Sequence, residues 1–181
     1  IQSAMAVVDT NNGAVLAMIG GRDYTVRRGL NRATQMRRQP GSALKPLAVY
    51  GPALELGYTT ASVLLDEKTS FGGYTPRNAG DRYYGLVTMR TAIRNSLNTT
   101  AVRLLEEIGL DASIQYLNKM GIPTRNSDRN LSLALGSMTY GVTPVELAAA
   151  YVPYANGGIY HQPYCVERIE TVDGSNVYER K

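Results

Sequence analysis

The sequence contains few residues of several types, and each shortage excludes a class of site or structure. The only cysteine is Cys165, so an internal disulfide is excluded. We expect this thiol to be buried and inert, because free cysteine is among the most buried residue types. His161 is the only histidine, so neither a Ser-His-Asp triad nor a multi-histidine metal site can form without it. No apolar run approaches the roughly 18 residues of a membrane-spanning helix, so the piece is expected to be soluble.

The composition fits one globular domain. The chain has 181 residues, 44% of them apolar, which is enough for a single domain over residues 1–181 with a sizeable core. The formal charge of +4 is a mild surplus for this length. The early basic residues are Arg22, Arg27, Arg28, Arg32, Arg37 and Arg38. This Arg22–Arg38 stretch fits a solvated loop, and the alternative is a module that binds a polyanion. No cofactor and no metal are expected.

The first 60 residues predict a hairpin, a loop and a helix. The apolar runs 5–9 and 14–19 are separated by a turn with Asn-Gly, which predicts two antiparallel strands. Residues 22–39 show no periodicity and predict a long loop. A helical pattern covers 46–56, and local rules start that helix at Pro46. A start at Ser42 would leave the Ser42 carbonyl without its intrahelical partner, because proline has no N–H.

The remaining chain predicts mostly helices. Residues 59–84 predict an irregular surface segment in which only 62–66 is extended. Helices are predicted over 88–95, 99–108, 112–120 and 144–154. Their expected caps are Thr88, Asp111 and Thr143, and Thr143 forms a capping box with Glu146. Residues 164–172 and 176–178, separated by Asp-Gly, predict a closing hairpin.

Ser42 and Lys45 follow a Pro-Gly turn and are three residues apart, so a helix beginning at Ser42 places them on one face. A serine hydroxyl is a weak nucleophile until a base activates it, and a desolvated lysine amine can serve as that base. The helix N-terminus also offers free backbone N–H groups to an oxyanion. The spacing taken alone favours an ordinary helix start with an exposed lysine.

Ser96 and Asn98 could complete such a site. The serine offers a second hydroxyl that can pass a proton to a leaving group, and the asparagine offers an amide that can hold a peptide substrate. A helix cap followed by a turn asparagine explains the same residues without any chemistry.

Ser-x-x-Lys followed by Ser-x-Asn resembles the active-site serine transpeptidases called penicillin-binding proteins, which share this arrangement with class A β-lactamases. The family-like segments are 38–46, 74–78, 94–98, 134–144, 148–151 and 155–158. They resemble the transpeptidase domain of the bifunctional class A proteins, and the resemblance spans nearly all of residues 1–181. Leu97 stands where the β-lactamases have aspartate, which favours a transpeptidase.

The resemblance implies an α/β (α+β) fold, with an antiparallel sheet packed against a helical subdomain and the helix beginning at the serine. It implies that Ser42 is the acylated nucleophile, with Lys45 as its base. It further implies that Ser96 relays a proton to the leaving D-alanine and that Asn98 binds the acyl side of the substrate.

The implied activity is that of a serine-type D-Ala-D-Ala transpeptidase, which cross-links peptidoglycan stem peptides and is acylated by β-lactam antibiotics. The resemblance also implies an upstream glycosyltransferase domain, a membrane anchor and an extracytoplasmic position at a bacterial cell membrane. No nucleic acid is expected. The family's Lys-Thr-Gly strand has no counterpart, since 68–70 reads Lys-Thr-Ser and lies too early. Together with a first residue other than Met, this predicts an incomplete domain with impaired activity, or an inactive scaffold fragment.

Overall fold

The computed structural model describes residues 1–180. Its contacts divide the chain into two compact units, one formed by residues 1–36 with the segment from 143 onward, and the other by residues 37–142. Both units combine helices with short strands. The prediction of one domain over 1–181 stays a prediction.

The strands are β1 (Met5–Val8), β2 (Val15–Ile19), β3 (Val63–Asp66), β4 (Gly85–Thr88), β5 (Arg168–Glu170) and β6 (Asn176–Glu179). The α-helices are α1 (Gly51–Glu55), α2 (Met89–Arg94), α3 (Asn98–Ile108), α4 (Leu110–Lys119) and α5 (Pro144–Tyr151). Short 3₁₀ turns cover Gly41–Leu44, Ala79–Asp81, Asn126–Asp128, Leu131–Leu135 and Val152–Tyr154, and a π-helical turn covers Pro46–Tyr50. In the described residues the strands pair only as three antiparallel ladders of two strands each. No helix within 1–180 has both the length and the apolar character needed to cross a membrane.

The first unit is built from the two hairpins and α5. β1 pairs with β2 as the Asn-Gly turn predicts, and α5 packs on β1. The capping box of α5 is present, because the Glu146 N–H donates to Thr143 Oγ1 at 3.2 Å and the Thr143 N–H donates to Glu146 Oε2 at 2.9 Å. The helix ends at Tyr151, earlier than predicted, and passes into the 3₁₀ turn that contains Pro153, which has no N–H to continue the helix.

The closing hairpin of the first unit forms as predicted, with β5 paired to β6. Residues 165–179 are all exposed. The expectation that Cys165 is buried is therefore wrong. The thiol is exposed because none of residues 166–179 is buried, so the hairpin that follows it contributes no core that could cover it.

The second unit has its core around the helical stretch from Gly41 to Glu55. The π-helical turn contributes the fully buried Leu47 and Val49 and packs against α3 and α4. Leu104 of α3 and Leu117 of α4 are equally buried. This stretch is thereby the central element of the unit, which gives the residues on it fixed positions.

The helical stretch begins at Gly41, one residue before the start at Ser42 that the family resemblance implied, and the local prediction of a start at Pro46 is wrong. The Lys45 N–H donates to the Ser42 carbonyl in a 3₁₀ bond, which supplies the partner that Pro46 cannot. After the proline the stretch widens, and the Gly51 N–H donates to the Pro46 carbonyl in a π-type bond. The change of helix type therefore absorbs the proline without breaking the helix.

Two further details of the second unit differ from the sequence prediction. β4 was not predicted, and it pairs with β3 along its whole length. α4 begins at Leu110 with Gly109 as its N-cap, so the prediction that Asp111 caps this helix is wrong. The positive φ of Gly109, +84°, ends α3 and lets α4 follow without a linker.

The prediction that Thr88 caps α2 is confirmed, since the Thr88 hydroxyl accepts from the Thr91 N–H at 3.2 Å.

Candidate active site

Ser42 and Lys45 lie at the beginning of the central helical stretch. Gly41 has a φ of +57°, which turns the chain into the 3₁₀ turn directly before Ser42. Ser42 is exposed, whereas Lys45 is only 2% exposed. A lysine this deeply buried is unusual and needs hydrogen-bond acceptors for its amine.

Ser96 and Asn98 supply those acceptors. The Lys45 amine Nζ donates to the Ser96 carbonyl oxygen at 2.6 Å, to Ser96 Oγ at 3.0 Å and to Asn98 Oδ1 at 2.6 Å. These three bonds use all three N–H groups of a protonated amine. The structure therefore brings together three of the four residues singled out from the sequence, although Lys45 lies more than 50 positions before the other two.

Ser42 shares the helical stretch with Lys45 but has no direct bond to its amine. Within residues 1–180, no hydrogen bond joins the Ser42 hydroxyl to Lys45. The amine in this arrangement is directed at Ser96 and Asn98. To act on Ser42, it has to give up one of those bonds and reorient.

Burial lowers the pKa of the Lys45 amine from its ordinary 10.5 to about 8. The cause is desolvation, which disfavours the charged form. The acceptors around the amine are a carbonyl, a hydroxyl and an amide oxygen, and none of them carries a charge that would oppose this effect. A substantial fraction of the amine is thus neutral near pH 8 and able to accept a proton.

Ser96 has an unusual backbone conformation. Its φ is +50°, in the left-handed region that glycine normally occupies. It ends α2 in a Schellman motif, in which the Ser96 N–H donates to the Ile93 carbonyl and the Leu97 N–H donates to the Ala92 carbonyl, both at 3.0 Å. This turn directs the Ser96 carbonyl and hydroxyl toward the same amine. A serine in a glycine position is the kind of local strain that occurs at functional sites.

The segment before Ser42 is held by a second part of the unit. The Met138 N–H donates to Gln39 Oε1 at 2.6 Å, and Gln39 Nε2 donates back to the Met138 carbonyl. Gly136 lies so close that a Cβ on it would be 2.2 Å from the Gly41 carbonyl oxygen. Sequence reasoning missed Gln39 and Gly136 as site residues, although both fall in the family-like segments 38–46 and 134–144.

The side chain of Asn98 is fixed at both ends. Its Oδ1 accepts from Lys45, and its Nδ2 donates to the Arg77 carbonyl at 2.6 Å. Its backbone N–H donates to Asn78 Oδ1 at 2.7 Å. Asn78 was also missed, and the signal that could have found it is its place in the family-like segment 74–78.

The remaining candidate sites show less organisation. In the part of the chain that the structure describes, no group of three or more His, Cys, Asp or Glu side chains could hold a metal ion. The Arg22–Arg38 stretch is divided between the two units. Arg32 and Arg37 donate to the backbone carbonyls of Gly20 and Gly141. Polyanion binding by this stretch stays an untested alternative.

Comparison with known proteins gives consistent matches over nearly the whole chain. The family model of the penicillin binding protein transpeptidase domain matches residues 3–181. Penicillin-binding protein 1F of Bacillus subtilis (strain 168) is 44% identical over an alignment of 181 positions that covers 99% of this chain and 25% of that protein. The chain thus spans about a quarter of the length of that curated relative.

Solved structures match the fold. The 2.6 Å crystal structure of penicillin-binding protein 1A from Haemophilus influenzae has a TM-score of 0.85 at 33% identity and covers 99% of this chain and 27% of its own. The structure of the PonA1 protein from Mycobacterium tuberculosis in complex with penicillin V has a TM-score of 0.84 at 26% identity, and covers 98% of this chain and 50% of its own. The predicted α+β transpeptidase-like fold is confirmed.

Proposed function

Because the chain belongs to the penicillin-binding protein transpeptidase family, we propose that it carries the nucleophile, the base and the proton relay of a serine-type D,D-transpeptidase. Ser42 attacks the penultimate D-alanine carbonyl of a peptidoglycan stem peptide, D-alanine leaves, and an amine of a neighbouring stem peptide resolves the acyl-enzyme. The observation that carries the proposal is the buried Lys45 amine, held by Ser96 and Asn98 one turn after Ser42.

Acylation begins when the neutral Lys45 amine takes the proton of the Ser42 hydroxyl as the serine oxygen bonds to the carbonyl carbon. Negative charge then develops on the carbonyl oxygen. The backbone N–H of Ser42, in the first turn of the helical stretch, is a donor for that oxyanion. The reduced pKa of Lys45, about 8, makes the amine a competent base near neutral pH.

The leaving amine of D-alanine needs a proton when the peptide C–N bond breaks. Lys45, now protonated, lies 3.0 Å from Ser96 Oγ. The Ser96 hydroxyl passes its own proton to the leaving nitrogen and receives one from Lys45, so the lysine returns to its neutral form. Asn98, whose side-chain Oδ1 already accepts from Lys45 and whose Nδ2 donates one N–H to the Arg77 carbonyl, orients the acyl side of the substrate through the second N–H of its amide group.

β-Lactams acylate the same Ser42, since their strained amide presents an equivalent carbonyl. We place the domain outside the cytoplasm, in a parent protein with a membrane anchor and an upstream glycosyltransferase domain. The relatives named penicillin-binding proteins 1F and 1A support this assignment by their length, because this chain covers only 25% and 22% of them, which leaves room for further domains.

The test is covalent labelling of the full-length protein that contains this chain. Incubated with a β-lactam, the protein should gain the mass of one bound drug, and peptide mapping should place it on Ser42. Ser42→Ala should gain none, whereas Ser3→Ala, which removes an exposed hydroxyl, should label like the unsubstituted protein. A folded protein that gains no mass, or a Ser42→Ala variant that still does, contradicts the proposal.

A further inference from the structure

Two buried polar side chains, neither of which takes part in the proposed chemistry, lie directly behind Asn98. Asp66, at the end of β3, is 0% exposed, and Asn78 is 6% exposed. Burying a carboxylate and an amide is costly unless every polar atom finds a partner. The hydrogen-bond partners of Asp66 and Asn78 show which part of the site these two side chains hold in place.

Asn78 caps α3 from a distance. The N-cap position of this helix is Leu97, whose side chain cannot accept a hydrogen bond. Asn78 Oδ1 takes over that task, because it accepts from the Asn98 N–H at 2.7 Å and from the Thr99 N–H at 3.3 Å. The first residue of α3, whose side chain binds Lys45, is therefore held through its backbone by Asn78.

Asp66 sets the orientation of that amide. Its Oδ1 accepts from Asn78 Nδ2 at 2.7 Å and from the Thr99 hydroxyl, and its Oδ2 accepts from the Tyr84 N–H at 2.9 Å. A carboxylate only accepts, so it binds the NH₂ end of Asn78, whose Nδ2 also donates to the Arg82 carbonyl at 3.0 Å, and the oxygen end is left facing α3. In residues 1–180 no cation pairs with Asp66. Neutral donors alone hold this buried carboxylate in place.

We propose that Asp66 and Asn78 are positioning residues of the active site, which act through the N-terminus of α3 to hold the Asn98 side chain against Lys45. The inference rests on the proposed function of Ser42 and Lys45. It extends that function to two residues that touch neither the amine nor the nucleophile. A displacement of Asn98 by about 1 Å can reduce the rate of the chemical step about a hundredfold.

The decisive variants exchange the carboxylate and the amide between positions 66 and 78, which changes hydrogen-bond donors and acceptors but hardly changes side-chain shape. Asn78→Asp keeps an acceptor for α3 but places an oxygen against Asp66 where a donor stood. Asp66→Asn removes the acceptor that orients Asn78. The double variant Asp66→Asn with Asn78→Asp restores a donor facing an acceptor between positions 66 and 78, in reversed order and with unchanged net charge. It does not restore the bond from position 78 to the Arg82 carbonyl, which then faces an oxygen. Asn130→Asp is the matched control, because Asn130 also caps a short helical turn through its side-chain oxygen, but at an exposed position.

The measurement is the saturation kinetics of acylation of the full-length protein by a fluorescent penicillin. It separates the dissociation constant of the non-covalent complex, the first-order acylation constant k2 and the fraction of protein finally labelled. We expect both single variants to lower k2 about tenfold to a hundredfold with an unchanged labelled fraction. The double variant should recover part of that loss, because only the contact between positions 66 and 78 is restored, and Asn130→Asp should match the unsubstituted protein.

A merely structural role gives a different pattern, namely a smaller labelled fraction with an unchanged k2, and that result overturns the inference. So does a double variant no faster than the single ones. If Asn78→Asp does not fold, Thr99→Val removes one hydroxyl bond to Asp66 at constant shape and should lower k2 about threefold. An unchanged k2 in Thr99→Val also overturns the inference. Failure of the proposed function looks different, because the unsubstituted protein then shows no label on Ser42.

Discussion

Replacing Ser96 by glycine and by alanine separates the strain in its backbone from the role of its hydroxyl. Both substitutions remove the oxygen that accepts from Lys45 at 3.0 Å, so the loss of that bond is common to the two variants. They differ in the Cβ. Only glycine adopts a φ of +50° without a steric cost.

The size of the difference follows from the local conformation. A left-handed conformation costs a residue with a Cβ roughly 1–2 kcal/mol. Glycine gives back roughly 0.5–1 kcal/mol of this advantage, because it loses more backbone conformational entropy on folding than alanine does. Ser96 is exposed, so changes in packing add little. We expect Ser96→Gly to be more stable than Ser96→Ala by about 0.7 kcal/mol, the reverse of the usual order in helical segments.

Hydrogen exchange with mass spectrometry measures this difference locally, in peptides that cover α2 and the start of α3 of the full-length protein. A difference of 0.7 kcal/mol corresponds to exchange about threefold slower in Ser96→Gly than in Ser96→Ala. Equal exchange, or slower exchange in the alanine variant, refutes the left-handed conformation at residue 96. Acylation by a β-lactam should proceed at the same reduced rate in both variants, because neither has the hydroxyl.

Three further predictions concern the amine, a helix cap and a close backbone contact. The acylation rate should rise about tenfold per pH unit below pH 8 and level off above it, because the pKa of Lys45 lies near 8 and only the neutral amine is a base; stopped-flow labelling across pH checks this. Thr143→Ala should destabilise α5 by about 1 kcal/mol, while Thr143→Ser should retain most of the cap, as hydrogen exchange of α5 can show. Gly136→Ala should be far more destabilising in thermal unfolding than Gly157→Ala: both have a positive φ, but a Cβ at 136 would meet the Gly41 carbonyl at 2.2 Å, whereas the space around 157 is open. Equal melting temperatures for these two variants would contradict the close contact.

The elements that sequence reasoning predicted correctly are those with short-range causes. The Asn-Gly turn between β1 and β2 and the capping box of α5 depend on residues within a few positions of one another. Two of the errors arose where distant parts of the chain decide the outcome. β4 forms because β3 lies beside it, and Cys165 is exposed because no core covers its hairpin.

The sequence by itself determined the family, because its motifs and their order suffice to recognise it, and it supplied the residue types that the chemistry needs. It could not reveal which atoms meet. Only the tertiary structure placed the Lys45 amine against Ser96 and Asn98, lowered its pKa through burial and set Asp66 and Asn78 behind the site. The physical reason is that burial and hydrogen bonding depend on neighbours brought together from 12 to 53 positions apart, and no local pattern encodes their distances.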